Sequence, residues 1–282
     1  MSSKSLFAPV RCNKVAILFE ILFFRYELSM SRYISPVLYI LLMLVGCVAF
    51  ISIAGVRVGI FEPLTGFSML RKSVFASLVL SILAAISMGA CRKEKNVGVQ
   101  RFFFLVLIVS FLYSAMWIVF YFQRAELPNI NDITTDTQNP PTYLNVNFIR
   151  NSKENDLSYN TDWASIQNEY YPDVKPLFSK KDPATVFAAV SNLVEEREWE
   201  VVATYSGAGI IEATARTPIF GFRDDVVIRI TQEENKVRVD MRSCSRVGDG
   251  DFGVNAERVV SFMNDLSVSL NHSPVPNVYF GR

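Results

Sequence analysis

The stretch KVRVDMRSCSRVGDGDFGVNAERVV, from Lys236 to Val260, passes from one periodicity to another. Apolar and polar residues alternate up to Arg246, which is the period of a strand with one buried face. Glycines and aspartates follow, and from Val254 onward apolar residues recur at helical spacing. The stretch therefore predicts a strand, a turn and a helix, with Asp251 placed to cap the helix.

Alternation of the same kind recurs upstream of this strand. It predicts three more strands, at 199–206, 209–217 and 225–233. Short connections join the first two strands and the last two, as in hairpins. Asp182 and Pro183 form a good helix start, and the apolar residues after them predict an amphipathic helix over 183–197. We predict an α+β two-layer domain over 182–271, with two helices covering a four-stranded antiparallel sheet.

The two halves of the chain differ in charge and hydropathy. Residues 1–124 contain 13 Lys and Arg against 4 Asp and Glu, whereas residues 125–282 contain 15 against 23. Three uncharged apolar runs lie in the first half: Ile34–Ala54, Ser73–Cys91 and Phe102–Phe122. Each is long enough to cross a hydrocarbon core of about 30 Å. We therefore predict three transmembrane helices within residues 34–122.

The basic residues predict the orientation of these helices. They are concentrated before the first run and in the loop 92–101, and only three lie between the first two runs. Because Lys and Arg remain on the cytoplasmic side, the N-terminus is predicted to be cytoplasmic and the C-terminal domain extracytoplasmic. We expect the protein in the bacterial inner (plasma) membrane. Within the N-terminal segment 1–33, Val15–Phe24 is too short to span and suits the interface, unless translation starts at Met30.

Two segments of the outer half lack a sustained period. Residues 123–181 are rich in Pro, Asn and Asp, and we predict an extended tether, either pinned along the domain or mobile. Residues 272–282 form a tail that contains His272, the one histidine of the chain. With one histidine and no Gly-rich phosphate loop, we expect no metal site, no cofactor and no Ser-His-Asp centre. The acidic outer half also disfavours nucleic acid as a partner.

One face of the last predicted strand carries a basic row. By the period of two, this face holds Lys236, Arg238, Asp240, Arg242, Cys244 and Arg246. The row could bind a carboxylate or phosphate group through forked guanidinium contacts, or be a solvated face whose arginines pair with neighbouring Asp and Glu. A second candidate is the hairpin tip 217–225. Its Phe220 and Phe222 would either meet lipid or the membrane helices, or fold under the core.

Several motifs resemble those of a family catalogued as domain of unknown function 1499. They are NDITTDTQNPP at 131–141, GFRDDVVIRI at 221–230, VDMRSCSRVGDGDFGVNAERV at 239–259 and the membrane-side GVRVGIFEPLTGFSMLRK. Where the family pattern has a second Arg-Ser pair, this chain has Cys244-Ser245. The resemblance implies motif positions at Asp132, Thr134, Asp136, Arg242, Ser243, Ser245, Arg246, Asp251, Gly253, Asn255 and Arg258. It implies no activity, but it joins the NDITTD segment to the SRVG turn as one surface.

These observations predict an integral membrane protein whose outer domain binds an envelope component or a partner protein without catalysis. The expected partners are the lipid bilayer and an anionic envelope ligand or a membrane protein. The candidate ligand-binding residues are Arg242, Arg246, Ser243, Ser245, Asp132, Asp136, Asp251, Asn255 and Arg258. The alternative is an envelope enzyme acting on a lipid or glycan, with Asp132, Asp136 or Asp251 reacting and the arginines holding an anion. Convergence of Asp132 or Asp136 on Arg242 and Arg246 in a concave pocket would favour the enzyme, and a flat solvated face would disfavour it.

Overall fold

A computed structural model describes residues 29–270. The predicted interfacial segment Val15–Phe24 and the tail 272–282 lie outside the described residues.

Three long apolar helices open the described chain: α1 (Ser31–Arg57), α2 (Pro63–Ala90) and α3 (Val97–Arg124). All three are long and apolar enough to cross a membrane, as the sequence predicts. Serine hydroxyls join α2 to α3, since Ser77 donates to the Ser110 carbonyl at 3.0 Å and Ser114 to the Val74 carbonyl at 2.9 Å. Such small polar residues let membrane helices approach closely and supply interhelical hydrogen bonds.

The C-terminal domain is built on one antiparallel sheet of six strands. They are β1 (Asp132–Thr134), β2 (Leu177–Ser179), β3 (Glu200–Tyr205), β4 (Ile210–Arg216), β5 (Arg223–Glu233) and β6 (Lys236–Ser245). The strand order is β1-β6-β5-β4-β3, and β2 also pairs with β6. The four predicted strands form the meander β3 to β6, but the predicted count of four is wrong. The segment 123–181 supplies β1 and β2, which at three residues each are too short to show an alternating pattern.

The two longest helices described in the domain cover one face of the sheet. The domain contains α4 (Val146–Ile149), α5 (Trp163–Tyr170), α6 (Pro183–Glu196) and α7 (Val254–Ser269), so the predicted count of two is not confirmed. Asp182 caps α6 by accepting the Thr185 N–H at 3.0 Å. The main core lies between α6, α7 and the sheet, where Val239, Met241 and Phe262 are fully buried. Burial of these apolar side chains is the main force that holds the two layers together.

The opposite face of the sheet is covered as well, which the sequence does not reveal. Tyr143, Val146 and Leu157 fold back over this face and pack with Val227 and Cys244 in a second apolar cluster. The residues of the basic row that lie beneath are therefore buried, and Arg242 is only 3% exposed. Of the alternative that expected a solvated face with paired arginines, the pairing with neighbouring Asp is found. The solvation is wrong for Arg242, Cys244 and Arg246, because the segment 137–160 covers them.

The hairpin tip between β4 and β5 packs inward in part. Phe220 is buried, and its ring packs edge to face against the ring of Phe67 in α2, with the ring centroids 5.5 Å apart. The ring of Phe222 packs against the same ring, with the centroids 6.4 Å apart, whereas Ile219 is 44% exposed. Of the two alternatives for this tip, contact with lipid or the membrane helices and folding under the core, the structure shows Phe220 and Phe222 in contact with a membrane helix.

Candidate functional site

Asp132 and Arg242 form a buried ion pair at the edge of the sheet. The β1–β6 register brings them together, and the guanidinium grips both carboxylate oxygens, at 2.9 Å through Nε and 2.6 Å through Nη2. Arg242 also donates to the carbonyls of Pro141 and Leu157, at 3.2 and 2.7 Å. Burial is the largest influence on both groups: it raises the pKa of Asp132 and lowers that of Arg242. The hydrogen bond and the charge of Asp132 together with its neighbours still raise the pKa of Arg242 on balance. The bidentate contact favours the ionised pair, and the carbonyl contacts of Arg242 tie the covering segment to β6.

A second buried carboxylate, Asp225 on β5, binds two arginines. Arg246 approaches it with Nε at 3.0 Å and Nη2 at 2.8 Å, and Arg150 of the covering segment approaches with Nε at 2.7 Å. Thr214 donates a further hydrogen bond at 2.7 Å. Sequence reasoning missed Arg150 and Asp225 as partners of the basic row. The available signal was the polar alternation of β4 and β5, which places Thr214 and Asp225 on the face of Arg242.

Cys244 lies between these two ion pairs and is buried. Its carbonyl accepts from Arg150 at 2.8 Å. Burial raises the pKa of the Cys244 thiol to about 12, so the thiol is protonated at neutral pH. A protonated, inaccessible thiol is a poor nucleophile, and position 244 has a packing role.

On the helix side of the sheet, polar residues join α7 to β6. Asn255 accepts from the Ser243 hydroxyl at 2.7 Å and donates to the Ser245 hydroxyl at 2.9 Å. Arg258 donates to Asp224 at 2.5 Å and to Ser243 at 2.9 Å. These candidate residues bind one another and fix the position of the helix.

Asp251 shapes the turn before α7. Its carboxylate accepts the N–H of Gly253 at 2.8 Å and that of Asn255 at 2.7 Å. Gly253 has a φ of +79°, which a residue with a side chain rarely adopts. Burial raises the pKa of Asp251 to about 6. Asp251 therefore satisfies two N–H groups at the helix start, as the sequence predicts, although the N-cap position itself is Gly253.

Asp136 belongs to a separate group at the other end of β6. It pairs with Arg238 at 2.8 Å and Arg229 at 3.4 Å, and both arginines also bind Asp240. Its other oxygen accepts the N–H of Asn139 at 2.9 Å. The structure thus brings Asp132 to Arg242, but Asp136 contacts neither Arg242 nor Arg246 among the described partners.

A concave cavity of about 360 Å³ opens beside Asp132. Its lining residues are Asn129, Asn131, Asp132, Asn155, Asp156, Ser158, Asn160, Trp163 and Asp249. None of these is Lys or Arg, and no group of three or more His, Cys, Asp or Glu within residues 29–270 is arranged to hold a metal ion. Apart from Asp132, none of these residues is among the ligand-binding candidates predicted from the sequence, although Asn131 and Asp249 lie in the family motifs. In the sequence, their Asn, Asp and Ser side chains indicate a loop rather than a binding site, because such residues also favour turns.

The span from β1 to the last helix has a counterpart among known families. Residues 132–266 match the family model described as protein of unknown function (DUF1499). The domain belongs to that family. The match confirms the resemblance for the motifs of the outer half, whereas the membrane-side motif lies outside the matched residues. The match starts at Asp132, so that β1 is part of the DUF1499 domain. A search of curated proteins gives no significant match to this chain.

Proposed function

We propose that the DUF1499 domain is an extracytoplasmic binding domain, anchored in the bacterial inner membrane by α1 to α3, that holds an envelope component without catalysis. The N-terminus would then be cytoplasmic. The observation that carries the proposal is the cavity beside Asp132, which is concave and polar, whereas Asp132 and Asp225 are held in ion pairs with Arg242 and Arg246. A cavity of this kind with convergent polar groups is the ordinary form of a small-ligand site.

The state of the candidate carboxylates favours binding over catalysis. A general acid or base must reach the substrate with a free oxygen. Both oxygens of Asp132 are held by Arg242, and both oxygens of Asp251 accept backbone N–H groups. Asp136 is held by two arginines and by backbone N–H groups. One observation keeps the second candidate, an envelope enzyme acting on a lipid or glycan: Asp132 does line the cavity.

The same geometry changes the expected role of the arginines. An anionic ligand held by the basic row would need guanidinium groups that are free to turn toward it. Arg242 and Arg246 are 3% and 5% exposed, and each already holds a carboxylate in two contacts. In our proposal they position the segments that line the cavity, and the cavity residues contact the ligand.

Native mass spectrometry of the full-length protein in lipid nanodiscs tests the proposal. Asp249→Arg places a long side chain at an exposed cavity position, and Glu234→Arg at the exposed tip of the β5–β6 hairpin is the matched control. We expect a discrete envelope component bound to the parent and to the control but absent from Asp249→Arg. A component recovered in chemically altered form would favour the enzyme, and the absence of any bound component from the parent would refute the proposal.

A further inference from the structure

We infer that the cavity beside Asp132 takes an uncharged or cationic sugar unit, a polyhydroxylated ligand rather than the anionic group predicted from the basic row. This inference rests on the proposed binding function and names its ligand class. It follows from four properties of the cavity: its charge, its hydrogen-bonding groups, its single indole and its size.

The charge of the lining excludes a good anion site. Asp132, Asp156 and Asp249 contribute carboxylates, and no lining residue is basic. The guanidinium of Arg242 compensates the charge of Asp132, which it binds through Nε and Nη2, and its terminal nitrogens also reach two carbonyls. The carboxylates of Asp156 and Asp249 have no such cation among the described residues and keep the lining negative. A phosphate or carboxylate entering the cavity would meet like charge in a partly enclosed space, which weakens binding.

The lining is rich in hydrogen-bond acceptors. Asn131 and Asn155 both donate through Nδ2 to the carbonyl of Gly248, at 2.6 and 2.9 Å, and this fixes their amides with Oδ1 left as an acceptor. The carboxylates of the lining can only accept when ionised. A matching ligand must therefore present many donors in a small volume, and the hydroxyl groups of a sugar do so. Because these acceptors are already held in position, little ordering cost remains for binding.

Trp163 distinguishes a sugar from a simple polyol or cation. It is the first residue of α5 and is half-buried, with its side chain packed against the main core. An indole held in this way presents a rigid apolar surface at the cavity wall. The C–H face of a sugar ring is apolar while its edge carries hydroxyls, so one ring can contact Trp163 and the acceptor groups together.

The cavity size limits the ligand. A volume of about 360 Å³ is at the lower end of the usual range for ligand sites, roughly 300–1,000 Å³. This space suits a short saccharide or the terminal unit of a longer glycan.

Binding of defined sugars to the full-length protein in nanodiscs tests the inference. The preparation must avoid glycoside detergents, since their head groups would compete. The neutral probes are cellobiose, maltose and diacetylchitobiose, and the anionic counterpart is N-acetylglucosamine 1-phosphate, all measured by saturation-transfer NMR and calorimetry. We expect at least one neutral probe to bind and the phosphate to bind more weakly or not at all.

Two conservative variants assign the binding to the cavity. Asp249→Asn and Trp163→Phe should each weaken binding of the neutral probe by about tenfold, as expected for one lost polar or aromatic contact. Glu234→Gln at the β5–β6 tip removes a charge outside the lining and should leave binding unchanged. Thermal unfolding of each variant shows whether a loss of binding comes from misfolding. If Trp163→Phe misfolds, the binding measured for Asp249→Asn, at an exposed position, tests the inference.

The outcomes separate this inference from the proposed function. If no neutral probe binds, or if binding ignores both variants, the sugar inference is overturned. If in that case an envelope component is still retained by the parent and lost from Asp249→Arg, the binding function stands with another ligand class. If neither a sugar nor an envelope component binds, both fail.

Discussion

At the scale of single residues, the domain keeps charged side chains inside and satisfies nearly all of them with partners from distant parts of the chain. The contact between Arg242 and Asp132 is the clearest case, because both side chains are almost fully buried. Removing one partner of such a pair leaves an uncompensated charge, which costs far more than the pair itself contributes. Such arginines are positioning residues in this fold.

Arg242→Met should therefore lower the free energy of unfolding by about 3 to 5 kcal/mol, since Asp132 would be left charged and buried. The double variant Arg242→Met with Asp132→Leu removes both charges and should recover most of this loss. Arg216→Gln breaks an exposed pair with Glu200 and should change the stability by less than about 1 kcal/mol. Denaturant unfolding of the full-length protein in nanodiscs measures all three. An equal effect of Arg242→Met and Arg216→Gln would contradict the structural role of the buried pair.

Asp251 makes a second prediction, on pH. Burial raises its pKa in the folded protein to about 6, above the unfolded value of about 3.9. The folded state thus binds the proton more tightly, so this group stabilises the fold at low pH and its contribution falls as pH rises from about 4 to 6. Asp251→Asn removes this titration. The stability of the parent relative to Asp251→Asn should decrease between pH 4 and pH 6 and stay constant above pH 7, as measured by urea unfolding. A difference that does not vary with pH would refute the assignment.

At the scale of elements, the sequence predicts the strands and helices that have a regular pattern of apolar residues. It does not predict the short elements whose structure depends on contacts with distant parts of the chain. Strands β3 to β6 alternate over six or more residues, and α6 and α7 carry apolar residues at helical spacing. Strands β1 and β2 are three residues each, and they form through hydrogen bonds to the edge of β6. The candidate site shares this limit. Motif positions such as Asp132 could be named in advance, but the cavity depends on how 123–181 folds back, and that path is fixed by tertiary contacts such as Arg150 with Asp225.

The free edge of β1 illustrates this dependence and can be tested. Gln167 of α5 is buried, and its side chain accepts the Thr134 N–H at 2.9 Å and donates to the Thr134 carbonyl at 2.8 Å. The amide thus replaces a neighbouring strand. Gln167→Ala should cost about 1 to 3 kcal/mol, because two buried backbone groups lose their partners, and should speed hydrogen exchange at the Thr134 amide. Asn168→Ala, at the exposed neighbouring position, is the control. Unchanged exchange at Thr134 would contradict this role for Gln167.

At the scale of the whole molecule, two chemically different halves are joined in one chain. The basic half contains three helices that are long and apolar enough to cross a membrane, and the acidic half contains the DUF1499 domain. The distribution of Lys and Arg predicts that the loop 92–101 is cytoplasmic and that the domain is on the opposite side.

Reporter fusions check this topology. Alkaline phosphatase, which is active only outside the cytoplasm, should be active when fused after Arg282 and inactive when inserted in the loop 92–101. A fluorescent protein that folds only in the cytoplasm should give the reverse pattern. Fluorescence from the fusion at Arg282 would overturn the proposed orientation.

The pairing of β1 with β6 has a consequence for how the domain is made. Asp132 and Arg242 are 110 residues apart in the chain. Closing so long a loop is slow, and it cannot happen before the last strand has been synthesised. If the domain is exported as we propose, β1 crosses the membrane first and must wait, unpaired, for β6 to follow. During export the nascent protein therefore exposes strand edges that can join other chains. The edge of β6 that pairs with β1 in the mature sheet would then be a site of aggregation in the newly exported chain. Export would need to be fast or assisted by a chaperone.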